Sequence, residues 1–365
     1  MWLNVPANQL ILTDTGVLTM KRVSLLVTVL ATMAIGCLAG PTQAQEKATL
    51  DQLVAAAKKE GGFEFYGPST ITPQGAQELA RAFNKKYGLD VALRFSPAGN
   101  MVRDISKIIT SAAAGAAPEW DLMVVTDAHH AFLAIRKMHQ TFDYRKLGVD
   151  AKLLHYSGGS VAFANQYVIP AYNKNILPAK DVPKSWEDLL DPKWKGGKLG
   201  ISTALHHFGR LAVDAWGEEK TTKYVKALAE QKPTLGNPGT VHAKLTMGEV
   251  LVFVNQISEF VFRANVEGAP VVFAEGIEPV IAPGLQAGVP KGARNPNVAY
   301  LFAAYLTTPE AQAIWEKYAG LSSAFIPGTR MHKYVQGKKM VYLKDEDAAT
   351  VDRLTREYGK ILGFR

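Results

Sequence analysis

The stretch DLMVVTDAHHAF, residues 121–132, carries the pattern on which the fold depends. Its first half is a nearly unbroken apolar run, which is typical of a strand buried on both faces of a parallel sheet. Its second half begins at Asp127, a residue type that favours the position before a helix, and continues with small and apolar side chains. The stretch therefore predicts a buried strand followed directly by a helix, the repeating unit of an α/β fold.

The residues before this stretch repeat the same alternation. Helices are predicted at 50–61, 72–88 and 101–112, where apolar residues recur with helical spacing, and the strands FEFYGPST and VALRFSPAGN lie between them. This alternation indicates a mostly parallel sheet with helices on both faces. Ligands of such sheets lie beyond the carboxyl ends of the strands.

A second alternation follows an extended segment. The segment VAFANQYVIPAYNKNILP, residues 161–178, interrupts the alternation of strands and helices. A short helix capped by Ser185 is predicted after it. Strands and helices then alternate from residue 198 to residue 274, with one helix expected over residues 204–216. The chain thus predicts two α/β lobes joined by an extended crossing.

The amino-terminal region has the features of an export signal. Lys21 and Arg22 follow Met20, and a long apolar run then leads to a small-residue cleavage site. We expect translation to start at Met20 and cleavage to occur after Ala44, so that residues 1–44 are a leader and the mature chain is periplasmic. A membrane anchor is the alternative, because the apolar run approaches the roughly 20 residues that span a bilayer.

The composition excludes several classes of protein. The single cysteine, Cys37, lies in the leader, where lipid attachment is a minor alternative, so the mature chain has no thiol for a disulfide, a nucleophile or a metal site. The formal net charge is +8, but the basic residues form no block or aromatic stripe, so we expect no nucleic-acid binding. The G-x-S-x-G, G-x-x-x-x-G-K-[ST] and H-E-x-x-H motifs are absent, so we expect neither an enzyme nor a cofactor.

Two similar histidine pairs occur in the segments TDAHHAF, residues 126–132, and STALHHF, residues 202–208. Adjacent residues on a helix point about 100° apart, so at most one histidine of each pair can face a shared cleft. If Asp127 and Thr203 cap the helices, His130 and His206 occupy the third helical position. Three roles remain open: a hydrogen bond to a ligand oxygen, capping and packing, or a transition-metal site completed by a carboxylate.

Other polar side chains also follow the predicted strands. Each alone is more often a turn or cap residue than a ligand contact, but their convergence at one edge of each sheet makes them candidates. They are Ser69, Thr70, Asn100 and Thr126 in the first lobe and Ser202, Thr203, Asn237, Thr240, Asn255 and Gln256 in the second.

The chain resembles the type II periplasmic solute-binding proteins of ABC importers, in the group that includes ferric-iron, thiamine and aminoethylphosphonate binders. The resemblance covers almost all of the chain after Gln45. It is most specific in YNKNILPAKDVPKSWEDLLDPKWKGGKLGIS, residues 172–202, in TMGEVLVFVNQ, residues 246–256, and in VPKGARNPNVAYLFAAYLTTPEAQAIWEKYAG, residues 289–320.

This resemblance implies two lobes joined by crossing hinge strands, with a ligand held in the cleft between them. We expect a first lobe of residues 45–163 and 280–330, a second lobe of residues 164–279, and a C-terminal helical segment, residues 331–365, packed on the body. The resemblance also implies delivery of a small-molecule solute to an ABC permease in the inner membrane. We expect the chain to act as a monomer.

The range of candidate solutes is narrowed by a departure of this sequence from the family pattern. Iron binders of this group carry adjacent tyrosines after the strand that reads VLVFVNQ here, where this chain has Asn255 and Gln256. The leading hypothesis is therefore a small polar or anionic solute. The predicted contacts are Ser69, Thr70, Asn100, Thr126, His130, Tyr167, Thr203, His206, Asn255 and Gln256.

Two alternatives use the histidines differently. One is capture of ferric or another transition metal by His130, His206 and a carboxylate such as Asp127 or Glu249. The other is an exported hydrolase with a histidine as general base, which the missing nucleophile motif disfavours.

Overall fold

The computed structural model describes residues 43–204 and 206–364, with side chains from residue 49 onward. Residues 1–42 of the predicted leader, including Cys37, lie outside these residues, whereas its last two residues, Gln43 and Ala44, begin the first helix. Within the described part of the chain, no helix combines the length and the apolar character needed to cross a membrane.

The described residues form two β-sheets with helices packed on their faces. The strands are β1 (Gly62–Pro68), β2 (Ala92–Ala98), β3 (Leu122–Thr126), β4 (Leu154–His155), β5 (Ser160–Asn165), β6 (Val168–Asn173), β7 (Leu199–Ser202), β8 (Thr234–Gly236), β9 (Val252–Ile257), β10 (Val271–Phe273), β11 (Val280–Ile281), β12 (Gly284–Gly288) and β13 (Met340–Val341). The helices are α1 (Gln43–Glu60), α2 (Thr72–Tyr87), α3 (Met101–Ala113), α4 (Asp127–Ile135), α5 (Phe208–Leu211), α6 (Glu218–Glu230), α7 (Pro238–Met247), α8 (Ser258–Val266), α9 (Pro296–Tyr305), α10 (Pro309–Ala319), α11 (Arg330–Tyr334) and α12 (Ala348–Leu362).

Each sheet belongs to one lobe. The first has the strand order β2-β1-β3-β12-β5-β4, and the second has the order β13-β11-β6-β9-β7-β8, with β10 paired to β6. The strands β1, β2 and β3 are parallel, as are β7, β8 and β9. However, β12 runs antiparallel to β3 and β5, and β6 runs antiparallel to β9, β10 and β11. The sheets are therefore mixed rather than mostly parallel, because strands beside the crossings run against their neighbours.

The first lobe has apolar clusters on both faces of its sheet. Along β3, Leu122 and Val124 pack into a cluster with residues of α1, α2, α9 and α10. On the other face, Met123 and Val125 pack with residues of α3 and α4. All four side chains are fully buried, which explains the nearly unbroken apolar run in the sequence.

In the described part of the chain, three segments connect the lobes. The strand β5 leads into β6, β11 leads back into β12, and a third segment runs from α10 in the first lobe to β13 in the second sheet. The boundaries expected after residues 163 and 279 each lie two residues too early. The reason is that Ala164 and Asn165 still pair with β12, while Val280 and Ile281 still pair within the second sheet.

Two expected helices differ from those observed. The Ser185 hydroxyl does accept a hydrogen bond from the Asp188 amide, but only a 3₁₀ turn follows, at Glu187–Leu190. The helix expected over residues 204–216 begins only at Phe208, as α5, and continues as a π-helical turn. Thr203 does not cap it, because its amide and hydroxyl both donate to the Gly236 carbonyl and so extend the pairing of β7 with β8.

The C-terminal helix α12 contacts both lobes. Its residues Leu354, Tyr358 and Leu362 are buried in the apolar cluster of the second lobe, where α12 lies against α5 and α6. The same helix also contacts α4 of the first lobe. This helix therefore links the two lobes at a distance in sequence from the crossing strands.

Candidate functional site

A cavity of about 780 Å³, here called the cleft, lies between the two lobes. The first lobe lines it with the segments that follow β1, β2 and β3, and the second lobe lines it with the segments that follow β7, β8 and β9. Gln166, from the crossing between β5 and β6, completes the lining. This is the position that the strand alternation predicts for a ligand.

Most of the predicted contact residues come together in the cleft, and three do not. Those in its lining are Ser69, Thr70, Asn100, Thr126, Thr203, Asn255 and Gln256. Tyr167 instead stacks on Tyr334, with 4.3 Å between ring centroids, and packs on Phe273. His130 and His206 are also absent from the lining.

The first histidine pair divides its two rings between the cleft and the core. The Nδ1 atom of His129, which lines the cleft, lies 2.8 Å from the Thr126 hydroxyl, and burial lowers the pKa of this histidine to about 4. His130 is fully buried, with its Nε2 3.0 Å from the Gln286 carbonyl and its Nδ1 3.0 Å from His139 Nε2. Its ring lies against Gly288, where a Cβ atom would come within 2.6 Å of it.

The second pair divides in the same way. The His206 Nε2 atom lies 2.8 Å from the Thr355 carbonyl of α12, and its ring stacks on Phe208. His207 lines the cleft in a left-handed conformation, with φ of 65°. Burial and the neighbouring Arg210 guanidinium lower the pKa of His207 well below its usual range, so both cleft histidines are neutral at physiological pH.

Two buried polar atoms in the cleft lining have no hydrogen-bond partner among the described residues. They are the Thr70 hydroxyl, from the first lobe, and His207 Nδ1, from the second. Thr70 and His207 are only 9% and 4% exposed, so bulk water does not readily form a hydrogen bond with either atom. Because an unpaired buried polar atom costs free energy, each is suited to bond a group that enters the cleft.

Helix amino termini also meet at the cleft. Asn100 caps α3 by accepting a bond of 3.0 Å from the Arg103 amide, and Asn237 caps α7 by accepting one of 2.9 Å from the Thr240 amide. Thr126 occupies the position before α4. Helix amino termini carry free N–H groups and a positive partial charge, so they favour an anionic group.

Two of the predicted contact residues already form hydrogen bonds within the protein. Asn255 bonds the backbone amide of Ser202 at 2.9 Å and so ties β9 to β7. Gln256 is fully buried, with its Nε2 2.8 Å from His242 Nδ1 and its Oε1 accepting from the Ile257 amide. These side chains shape the floor of the cleft.

Sequence reasoning missed two side chains of the lining, Gln166 at the first crossing and Glu259 at the start of α8. Glu259 is 2% exposed, and Gln166 donates a hydrogen bond to its carboxyl group. Burial raises the pKa of Glu259 to about 7. Among the described residues of the lining, this is the only carboxyl group, and its position directly after strand β9 was the signal that could have identified it.

The carboxylates proposed as metal ligands have other partners. Asp127 is buried in an ion pair with Arg210, 2.9 Å from one guanidinium nitrogen, and it also accepts from the Gly284 amide. Glu249 is paired with Lys244 at 2.6 Å. In the described part of the chain, no group of three His, Cys, Asp or Glu side chains is placed to bind a metal ion.

Comparisons with known proteins agree with this architecture. A family model described as bacterial extracellular solute-binding protein matches residues 78–330. An uncharacterized protein of Haemophilus influenzae is 30% identical over 154 residues, which are 39% of this chain and 42% of that protein. The match thus spans about two fifths of the relative's length.

Solved structures of periplasmic binding proteins share the fold. Iron-bound HitA from Pseudomonas aeruginosa is 18% identical, covers 83% of this chain and 99% of its own, and has a TM-score of 0.66. Trichodesmium FutA with iron and citrate is 20% identical, with 84% and 100% covered and a TM-score of 0.64. AfuA from Actinobacillus pleuropneumoniae with fructose-6-phosphate is 18% identical, with 83% and 99% covered and a TM-score of 0.63. These likenesses establish the type II periplasmic binding protein fold.

Proposed function

Because the chain belongs to the family of bacterial extracellular solute-binding proteins, we propose that it captures a small polar or anionic solute in the cleft and delivers it to the permease of an ABC importer. The solute is held by residues of both lobes, so it stabilises the closed arrangement of the lobes over the open one. Selection then depends on binding and needs no bond chemistry in this protein.

The observation that carries this proposal is the pair of unpaired polar atoms that the two lobes contribute to the residues lining the cleft. The Thr70 hydroxyl and His207 Nδ1 come from different lobes, so one solute with several oxygens would satisfy both. A solute that bonds both atoms gains contacts only when the lobes are close together. A ligand closes the lobes only if it makes more contacts in the closed arrangement than in the open one, and this solute meets that condition.

The charges around the cleft favour an anionic group over a cationic one. The amino termini of α3 and α7 add positive partial charge, while Arg103 of the lining is already paired with Asp104 at 3.0 Å. Glu259 opposes an anion in its ionised form, but burial has raised its pKa to about 7, so it is only partly ionised at neutral pH. Carboxylate, phosphonate and phosphate groups are therefore the preferred classes.

A second candidate is capture of a transition metal, because two proteins of the same fold hold iron. The described residues offer no cluster of three metal-ligating side chains, so a metal would have to arrive with an anion of its own. The structure that holds both iron and citrate is an example of such a pair.

A thermal-shift and calorimetry panel tests the two candidates. The panel contains phosphate esters, phosphonates and carboxylates, including citrate, together with ferric citrate, zinc and other divalent ions. We expect metal-free organic anions to raise the unfolding temperature. A response to ferric citrate or free metal ions, with none to the metal-free anions, would replace the first candidate with the second.

The contribution of Thr70 is tested by Thr70→Val. This change removes an unpaired hydroxyl, so we expect unchanged or slightly higher stability but a loss of about 5- to 30-fold in solute affinity, which corresponds to one or two kcal/mol. Tyr305→Phe is the matched control, because it removes another buried unpaired hydroxyl, from the core of the first lobe. Equal affinities of both variants and the parent protein would exclude a role for Thr70.

Export and assembly complete the proposal. The leader would be cleaved after Ala44, and the mature chain would act as a monomer in the periplasm. Amino-terminal sequencing of the secreted protein tests the cleavage site, and light scattering of the same sample tests the oligomeric state.

A further inference from the structure

A second cavity of about 280 Å³ adjoins the cleft. It is enclosed by α3 and α4 of the first lobe and by α12, and we call it the side cavity. Val102, His129 and Ala204 belong to the linings of both cavities. The two spaces therefore share a wall and lie side by side.

The side cavity differs from the cleft in its chemistry. Its wall is mainly aliphatic and aromatic, with Ile105, Ala131, Phe132, Leu343 and Val351 among its residues. None of the buried unpaired polar atoms of the described residues belongs to this lining, whereas two of them belong to the cleft.

Four of the polar groups at the side cavity already have partners in the protein. Asp352 and Arg356 pair with each other at 2.6 Å, and the Ser106 hydroxyl donates to the Val102 carbonyl at 2.9 Å. The His129 Nδ1 atom is bonded to Thr126. An apolar group that enters this space would break none of these hydrogen bonds.

We propose that the cleft and the side cavity form one binding site for a two-part solute, whose anionic group lies in the cleft and whose aromatic ring or short alkyl chain fills the side cavity. This inference rests on the proposed function and narrows its solute class. It excludes free inorganic anions and bare metal ions as the preferred solutes.

Two further observations support this division of the site. Val102, at the shared wall, is 60% exposed, so an apolar group in the side cavity would cover apolar surface that is now open to water. In addition, the walls of the side cavity come from both lobes, because α3 and α4 belong to the first lobe and α12 is packed into the core of the second. Closure around the anionic group would therefore also enclose the apolar group.

The test compares ligands that differ only in the apolar part. Titration calorimetry measures methyl phosphate against phenyl phosphate, and acetate against phenylacetate, on the full mature chain. Burial of a ring predicts that the phenyl member of a pair binds at least about 10-fold more tightly. Equal affinities within both pairs would overturn the inference while leaving the proposed function intact.

Variants that fill the side cavity make the test specific. Ala128→Leu and Thr355→Phe add side-chain volume from α4 and from α12, and each should reduce the phenyl advantage to less than about 3-fold with little change for methyl phosphate. Lys360→Phe, on an exposed position of α12, is the control and should keep the full advantage. A phenyl advantage that survives both filling variants would overturn the inference. Failure of every phosphate and carboxylate to bind would instead overturn the proposed function, and the inference with it.

Discussion

At the scale of single residues, the two histidine pairs illustrate what sequence can and cannot decide. Helical geometry limits the first pair to one residue in the cleft, because both of its histidines lie in α4. The second pair precedes α5, and there the left-handed backbone of His207 turns the two rings apart. Which histidine of a pair lines the cleft depends on small differences in where the backbone turns. In the structure, His129 and His207 line the cleft, whereas His130 and His206 do not. The fully buried position of His130 further depends on Gly288, which is distant in sequence and has no Cβ atom. Periodicity contains no information about such a contact.

Glu259 gives a pH prediction at the same scale. Burial raises its pKa from 4.5 to about 7, so the folded protein keeps a proton that the unfolded chain releases between these pH values. Its contribution to the free energy of unfolding therefore falls as the pH rises through this interval, by up to about 3 kcal/mol in total.

Comparison with Glu259→Gln isolates this effect, since the buried histidines titrate alike in both proteins. Urea unfolding at pH 5 and at pH 8 should show the variant gaining stability relative to the parent protein as the pH rises. A stability difference that is the same at both pH values would contradict a raised pKa of Glu259.

At the scale of elements, the local patterns identified most strands and helices because burial on one or both faces leaves a period in the sequence. The strand β3 and the helix α2, ended by Gly88 with φ of 62°, follow this rule. Prediction failed where a distant partner decided the outcome. Pairing of Thr203 with Gly236 delayed α5, and the antiparallel course of β12 and β6 made the sheets mixed.

The amino terminus of α3 provides a test at this scale. Asn100 holds the first turn by accepting from the Arg103 amide, so Asn100→Ala should lower the free energy of unfolding by about 1 kcal/mol and also weaken binding of the solute. Asn100→Ser retains a capping oxygen and should preserve both properties. Urea titration and calorimetry measure the two effects. Unchanged binding in Asn100→Ala would mean that α3 does not contribute to the solute site.

At the scale of the whole molecule, the lobes are coupled by more than the crossing strands. The ion pair of Asp127 and Arg210 joins the start of α4 in the first lobe to α5 in the second, and Asp127 also accepts from Gly284 at the return crossing. Helix α12 lies against both lobes. The ion pair therefore holds the two lobes together beside the return crossing.

Substitution of this ion pair tests the coupling. Arg210→Met leaves the Asp127 carboxylate buried without a counter-charge, so it should reduce the free energy of unfolding by about 3–5 kcal/mol. The double variant Asp127→Asn with Arg210→Met removes both charges and keeps an oxygen for the Gly284 amide, so it should recover most of that loss. Urea unfolding measures the stabilities of the variants. Small-angle scattering measures the spread of lobe arrangements. This spread should widen in the double variant without solute and narrow when solute is added. Equal stability of the single and double variants would mean that other groups already neutralise the buried charge. An unchanged scattering profile would mean that α12 and the crossing strands hold the lobes together without the ion pair.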